Sequence, residues 1–449
     1  MLKFLRVWCV ACVLVLALGA SAPAEVSFKG EIAPILVERC QTCHNPEKNK
    51  GAYRLDSFET MMRAGESKKA PIVAGRPGES HIFQLITTSD EDDRMPAKGE
   101  RLTAGQVSTF ERWIKEGAKF DGGDAKALLV ILVPASAHPA APEKYPRPVP
   151  IMALAFSADG KELAVGGYHE VTIWDPLSGK LAGRIGNIAQ RTQRLAYSPD
   201  GTVLAAASGT PGKVGEVKLL DPVNRTILAD LDRVGDMLFA LAFSADGSRL
   251  ACGGADNAIR VYDLKSRKRE LLIEQHADWV LGVVFTPDGQ NILSASRDKS
   301  ARVLDARKGS VEHAYLGHEE IVYSVALSGD GKTAYSAGKD KKIHLWSVKD
   351  GKKSGEITGF DEDVFSVVIG GGFIFACSAD KKVRQFAVEG RDLVRTYPEF
   401  ADWVYSIAFD AKNNRLAAGS FGGEVRVWNV GDGSLVSSFI AAPGFEGKK

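Results

Sequence analysis

Residues 241–247 read LAFSADG, the apolar end of a strand running into a Ser-x-Asp-Gly turn, and the chain repeats this phrase. Copies are LAFSADG from Leu154, LAYSPDG from Leu195, VVFTPDG from Val283 and VALSGDG from Val325, with the looser VVIGGG from Val367 and IAFDAKN from Ile407. Neighbouring copies lie roughly 40 to 46 residues apart, a period typical of folds that stack one supersecondary unit per repeat. Each anchor leads to a second apolar strand and a tight polar turn such as ADN, RDK or KDK. A third strand follows, ending near Trp174, Tyr262, Leu304, Trp346, Phe386 or Trp428, and a fourth comes after a short Gly-containing turn. Radial stacking of four-stranded antiparallel units protects their edges and buries both faces. Seven anchors therefore predict an all-β, seven-bladed propeller over residues 151–442.

Upstream the composition changes. Residues 121–150 are rich in Ala and Pro, and HPAAPEKYPRPVP from His138 reads as an extended connector with polyproline-II character. Within it, Ala127 to Val133 is an apolar run of strand length, a candidate extra strand at the propeller edge. At the start of the chain, Lys3 and Arg6 precede an apolar run from Val7 to Leu18 and small residues around Ala22-Pro23-Ala24, the pattern of a secretory signal peptide over residues 1–24. The apolar run falls short of the roughly 20 residues that span a bilayer. Together these features predict an exported protein of the periplasm or an equivalent compartment, without a transmembrane segment once the signal is removed. Loss of Lys3 and Arg6 changes 57 basic residues against 56 acidic ones to 55 against 56. Such near-neutrality argues against nucleic acid as a partner. Of six cysteines, Cys9 and Cys12 leave with the leader, and the four that remain are too few for a disulfide framework in so long a chain.

Residues 25–120 contain Cys40-Gln41-Thr42-Cys43-His44, the spacing used to attach haem through two thioether bonds, with His44 as the proximal iron ligand. A redox dithiol is the competing reading, but it needs no histidine after the second cysteine. Phe28, Ile32, Ile35 and Leu36 recur at helical spacing just before the motif. A second helix starts at Thr103, with Gln106 completing a capping box, carries Val107, Phe110 and Ile114 on one face, and stops at Gly117. Between the helices, Met95-Pro96 supplies the candidate distal ligand, whose thioether favours ferrous iron and raises the reduction potential. Met61, Met62 and His81 are its rivals, the two methionines lying in a predicted helix where packing is the default.

CQTCH, RLDS at Arg54 to Ser57, and RMPAKGERLTAGQ followed by FERWIKEGA together resemble the planctomycete-type cytochrome c domain. The resemblance implies a small helical fold and one covalent haem c, and it leaves the pathway open. Relatives of this kind are often fused to WD-repeat propellers. Ala97 stands where many of them have a second proline, a change that should affect loop stiffness more than ligation. The predicted whole is thus multidomain: a small all-α cytochrome c domain followed by an all-β seven-bladed WD-repeat propeller.

Within the propeller most tempting residues read as structural. Asp256, Asp298, Asp340 and Asp380 recur at one turn position. By resemblance to WD repeats, His318, Ser336, Asp340 and Trp346 form a complete intra-blade hydrogen-bond set, and His276 with Asp298 a partial one in which Leu304 replaces the Trp. Cys252 and Cys377, on second strands of different blades, read as small buried thiols. A second feature is a rim of large side chains before and within the first strands, including Trp279, Tyr323, Phe365, Trp403 and Tyr405. Aromatics gathered at a channel mouth suit a protein contact, and packing between blades is the alternative. The functional expectation is single-electron transfer to unidentified redox partner proteins, with the propeller as docking scaffold. Two alternatives stay open: a periplasmic oxidoreductase using the propeller catalytically, and a haem-based redox or gas sensor.

Overall fold

The computed structural model describes residues 25–41, 43–44, 49–97, 100–133 and 138–445; the candidate leader over residues 1–24 and Thr42 lie outside the described residues. The N-terminal unit begins with a helical turn over Phe28–Ile32, opened by Ser27, whose Oγ accepts the Gly30 N–H at 2.8 Å. The turn runs directly into α1, Ala33–Arg39, which has a proline in its first turn where an N–H would be unpaired anyway. Short helices α2, Phe58–Met61, and α3, His81–Thr87, follow. The last long helix, α4, Ala104–Lys115, has the expected Thr103/Gln106 capping box, and Gly117 ends it with φ of 100°. Phe28, Ile32, Leu36, Met61, Phe110, Trp113 and Ile114 are essentially inaccessible and form one core. Phe28 ties the two ends of the unit together, its ring 5.5 Å from that of Trp113 and 4.9 Å from that of Phe58.

The apolar run considered as a propeller strand does something else. Leu129–Leu132 forms a helical turn, α5, and Leu129 and Leu132 bury in the helical unit's core. The Leu129 N–H donates to the Asp56 carbonyl at 2.7 Å, and Leu128 bridges to Ser57. An apolar run without polar alternation carries no period that separates strand from helix, and one-turn spacing lets both leucines face the same core. The helical unit therefore extends to Val133, beyond the boundary at residue 120 expected from composition. From His138 the connector has no regular secondary structure and is pinned to the propeller. His138 Nε2 lies 2.8 Å from Glu216 Oε2, and Tyr145 Oη donates to Glu170 Oε1 at 2.7 Å.

The remainder is seven four-stranded antiparallel sheets, each built from consecutive strands. They occupy residues 154–185, 191–234, 238–273, 280–315, 322–357, 364–396 and 404–440, here blades 1 to 7. Their first strands pack side by side around a central channel. The repeated Ser-x-Asp-Gly turn has a local cause. In blade 3, Asp246 Oδ1 accepts the Ser244 hydroxyl at 2.6 Å and the Ser248 N–H at 3.0 Å. These bonds hold the Asp246 pKa down to about 2. Gly247 then takes φ of 70°, a left-handed conformation that a side chain would oppose. Among the described residues no strand is exchanged between blades 7 and 1. The ring closes through Ile151, whose N–H donates to the Ser420 carbonyl at 3.0 Å and whose carbonyl accepts the Ser406 hydroxyl at 2.8 Å, and through Trp174 stacked 4.7 Å from Phe439.

Candidate functional site

Cys40 caps the C-terminus of α1, its N–H donating to the Leu36 carbonyl, and the chain turns so that the Cys43 and His44 N–H groups both donate to the Cys40 carbonyl at 3.2 and 3.3 Å. This turn places both thiols and the imidazole on the wall of one cavity of about 790 Å³. Much of the wall is apolar, with Leu36, Leu55, Leu85, Ile86, Leu102 and Phe110. Met95 reaches the same cavity from the loop after α3, held by its N–H, which donates to the Leu85 carbonyl at 2.9 Å. Every residue expected from the sequence to hold the cofactor thus lines one space. Of the rivals to Met95, Met61 is fully buried in the core and Met62 is 38% exposed, and neither lines the cavity. His81 does line it, and its Nδ1 is buried without a hydrogen-bond partner among the described residues.

Two supports for the site went unread in the sequence. His44 Nδ1 lies 3.1 Å from the Tyr53 carbonyl, which can only accept, so Nδ1 carries the proton and Nε2 is left with its lone pair. Tyr53 is fixed in turn by its hydroxyl, which donates to the Met61 carbonyl at 2.6 Å. The adjacent RLDS phrase could have pointed to this. Leu55 is core and its N–H donates to the His44 carbonyl at 2.8 Å, Asp56 pairs with Arg54 at 2.7 Å, and Ser57 caps α2. Burial pushes the Cys40 thiol up to about 12. Redox-active dithiols work through a lowered pKa, so this environment speaks against a CxxC disulfide exchanger.

In the propeller, the His318 set forms as the repeat resemblance implied. Nδ1 lies 2.7 Å from Asp340 Oδ2 and Nε2 2.7 Å from Ser336 Oγ, which also accepts the Trp346 Nε1–H at 3.1 Å. His276 makes the same two contacts with Asp298 and Ser294. With both ring nitrogens engaged, these histidines are structural. Cys252 and Cys377 are fully buried and unpaired.

The rim residues are part packing and part surface. Tyr323, Phe365 and Tyr405 touch in sequence, with ring centroids 5.3 and 4.7 Å apart, linking blades 5, 6 and 7. Trp403 lies 6.3 Å from Tyr405 and is 46% exposed. Trp279 stacks on Phe239 at 5.1 Å, carries Arg297 over its face at 4.7 Å and is 37% exposed. Phe421, in a hairpin turn of blade 7, completes the cluster 6.0 Å from Tyr405; as a single aromatic in a Gly-rich turn it gave no repeat signal.

Residues 40–99 match the family described as planctomycete cytochrome C. Residues 234–263, 267–305, 309–347 and 391–429 match WD domain, G-beta repeat. Among curated proteins, the chain is similar to Protein groucho of Drosophila melanogaster, 28% identical over 129 residues, covering 28% of this chain and 17% of that protein. It is also similar to Transcription factor unc-37 of Caenorhabditis elegans, 31% identical over 111 residues, covering 24% of this chain and 18% of that protein. The chain thus spans less than a fifth of the length of these relatives. Among the described residues no helix is long and apolar enough to cross a membrane. The cytochrome c match implies haem, and the Cys40/Cys43 pair agrees with it. Sequence match and blade count together identify the chain as a planctomycete-type cytochrome c domain joined to a seven-bladed WD-repeat propeller.

Proposed function

We propose that this protein is an exported c-type cytochrome that holds one haem through Cys40 and Cys43, ligates its iron with His44 and Met95, and passes single electrons to a protein docked on the propeller. The observation that carries the reading is the cavity of about 790 Å³ on whose wall both thiols, the imidazole and the thioether meet. The donor set fits the group: two thiols for its edge, a nitrogen and a sulfur for its iron, and apolar walls for its macrocycle. Haem supplies a metal that gains and loses one electron, at a potential set by its axial ligands and their surroundings.

The chain's own residues do the positioning. The Tyr53 carbonyl orients His44 and fixes its tautomer. The Leu85 carbonyl anchors the backbone that presents Met95. Leu36, Leu55 and Phe110 limit water at the cavity wall. The candidate leader supports export, and the half-exposed Trp279 and Trp403 support the rim as the docking surface, since such rings are enriched where binding energy concentrates. His81, whose Nδ1 has no partner among the described residues and which lines the same cavity, favours one alternative, a sensor whose distal ligand exchanges. Carbon monoxide added to the reduced protein separates the two. Electron transfer through Met95 predicts no complex in the wild type and a complex in Met95→Ala, whereas an exchangeable site predicts a complex already in the wild type.

A further inference from the structure

Blades 4 and 7 are entered by the same four residues, Ala277-Asp278-Trp279-Val280 and Ala401-Asp402-Trp403-Val404, and these fold alike. In each, the aspartate Oδ1 accepts the tryptophan N–H at 2.8 Å. In each, the tryptophan carbonyl accepts the N–H of the residue that opens the turn between the second and third strands. That residue is Arg297 in blade 4, at 2.9 Å, and Phe421 in blade 7, at 2.8 Å. One backbone frame thus carries an arginine in one blade and a phenylalanine in the other.

In blade 4 the frame holds a cation. The Arg297 guanidinium lies over the face of Trp279, 4.7 Å from the ring centroid, and its Nε is 3.6 Å from Asp278 Oδ2. In blade 7 that cation is missing. Among the described residues Asp402 makes no ion pair, and no guanidinium or ammonium lies over Trp403, Tyr405 or Phe421. The three rings stand 6.0 to 6.3 Å apart and at 55 to 87° to one another, so neither neighbour lies flat on Trp403. Trp403 and Phe421 are each 46% exposed. Tilted aromatic faces beside a carboxylate attract a cation through the ring quadrupole and the negative charge together. Guanidinium is the cation this frame already accepts in blade 4; it is planar enough to stack and more weakly hydrated than an ammonium.

We propose that the blade 7 rim binds an arginine side chain of a partner protein, with its guanidinium set against Trp403, Tyr405 and Phe421 and paired with Asp402. This deepens the docking reading above and rests on it for the source of the arginine. The site itself is tested with a small probe that needs no partner, so its failure would leave docking elsewhere on the rim standing. The full haem-loaded chain is labelled with 5-fluorotryptophan and followed by fluorine NMR, the Trp403 and Trp279 signals being identified by Trp403→Phe and Trp279→Phe. N-acetylarginine methylamide is titrated at constant ionic strength, with the uncharged citrulline analogue as control. A saturable shift of the Trp403 signal is expected at roughly millimolar probe, with no shift from the citrulline analogue and none at Trp279, whose face Arg297 covers. Phe421→Arg supplies the missing cation from the chain itself and should abolish the Trp403 shift, whereas Arg297→Ala should make Trp279 respond. Asp402→Asn, which can still accept the Trp403 N–H, should weaken binding about two- to fivefold. The proposal is overturned by a Trp403 signal that shows no saturable shift, shifts equally with the citrulline analogue or still shifts in Phe421→Arg, or by a Trp279 signal that stays silent in Arg297→Ala.

Discussion

Acid should act first on blade 5. His344, on the strand Ile343–Ser347, is 3% exposed, and its ring stacks 4.0 Å from that of His318. Its Nδ1 lies 2.7 Å from Tyr315 Oη and its Nε2 3.4 Å from Asp340 Oδ2. Burial, and then the neighbouring His318, hold its pKa down to about 4 from an ordinary 6.5. Because the folded value is the lower one, the unfolded chain takes up the proton first. The neutral ring's contribution is thus complete above about pH 6.5 and is lost as pH falls towards 4. At pH 5 the two values correspond to about 2 kcal/mol of stability lost relative to neutral pH. Asp340 titrates in a lower window: burial raises its carboxyl, but the hydrogen bond from His318, the His318 and His344 charges and the Lys342 N–H together outweigh that and hold it below the usual range. His344→Gln isolates the effect, with urea unfolding followed by tryptophan fluorescence at pH 7.5 and pH 5, Trp346 reporting from the same blade. The wild type should lose about 2 kcal/mol more than the variant between these conditions. Equal losses would refute the assignment.

Three other outcomes follow from the packing. Trp113→Ala removes a ring that is 1% exposed and whose Nε1–H donates to the Lys119 carbonyl at 2.8 Å. It should cost the helical unit about 3–5 kcal/mol, seen in calorimetry as a shift of the cytochrome transition with the propeller transition unmoved. Glu216→Ala strips the buried partner from His138 and from Lys218, which is 1% exposed. A loss of about 3–5 kcal/mol is expected, together with faster protease cleavage between residues 138 and 150, read by mass spectrometry. Trp279→Ser and Trp403→Ser should each cost about 2 kcal/mol in chemical denaturation, since roughly half of each ring is covered. A loss equal to that of a fully buried Trp would make the rim a packing feature rather than a docking surface.

Much of this architecture was legible because the signals were periodic or chemical. The Ser-x-Asp-Gly turn recurs because one carboxylate closes it in each of five blades, so Asp159, Asp200, Asp246, Asp288 and Asp330 mark the strands that precede them. Blades 6 and 7 lack the phrase yet remain visible, since Gly371 and Gly372, and Asn414, take the same left-handed conformations. Thr103 and Gln106 announced α4 through local hydrogen bonds that need no partner from elsewhere in the chain. What stayed hidden depends on long-range contact. The Leu129–Leu132 turn is helical only because a core formed by residues 26–114 is there to receive it. Tyr53 reads as an ordinary aromatic until its carbonyl is found beside His44.

The central claim is that the cavity between α1 and the Met95 loop holds a covalent haem, and the pyridine haemochrome spectrum of the purified mature protein after acid–acetone extraction tests it most directly. The account predicts one haem per chain that resists extraction and is lost from the polypeptide in a Cys40→Ala/Cys43→Ala variant. Extractable haem, or none, in protein made with a functioning haem-attachment system would contradict it.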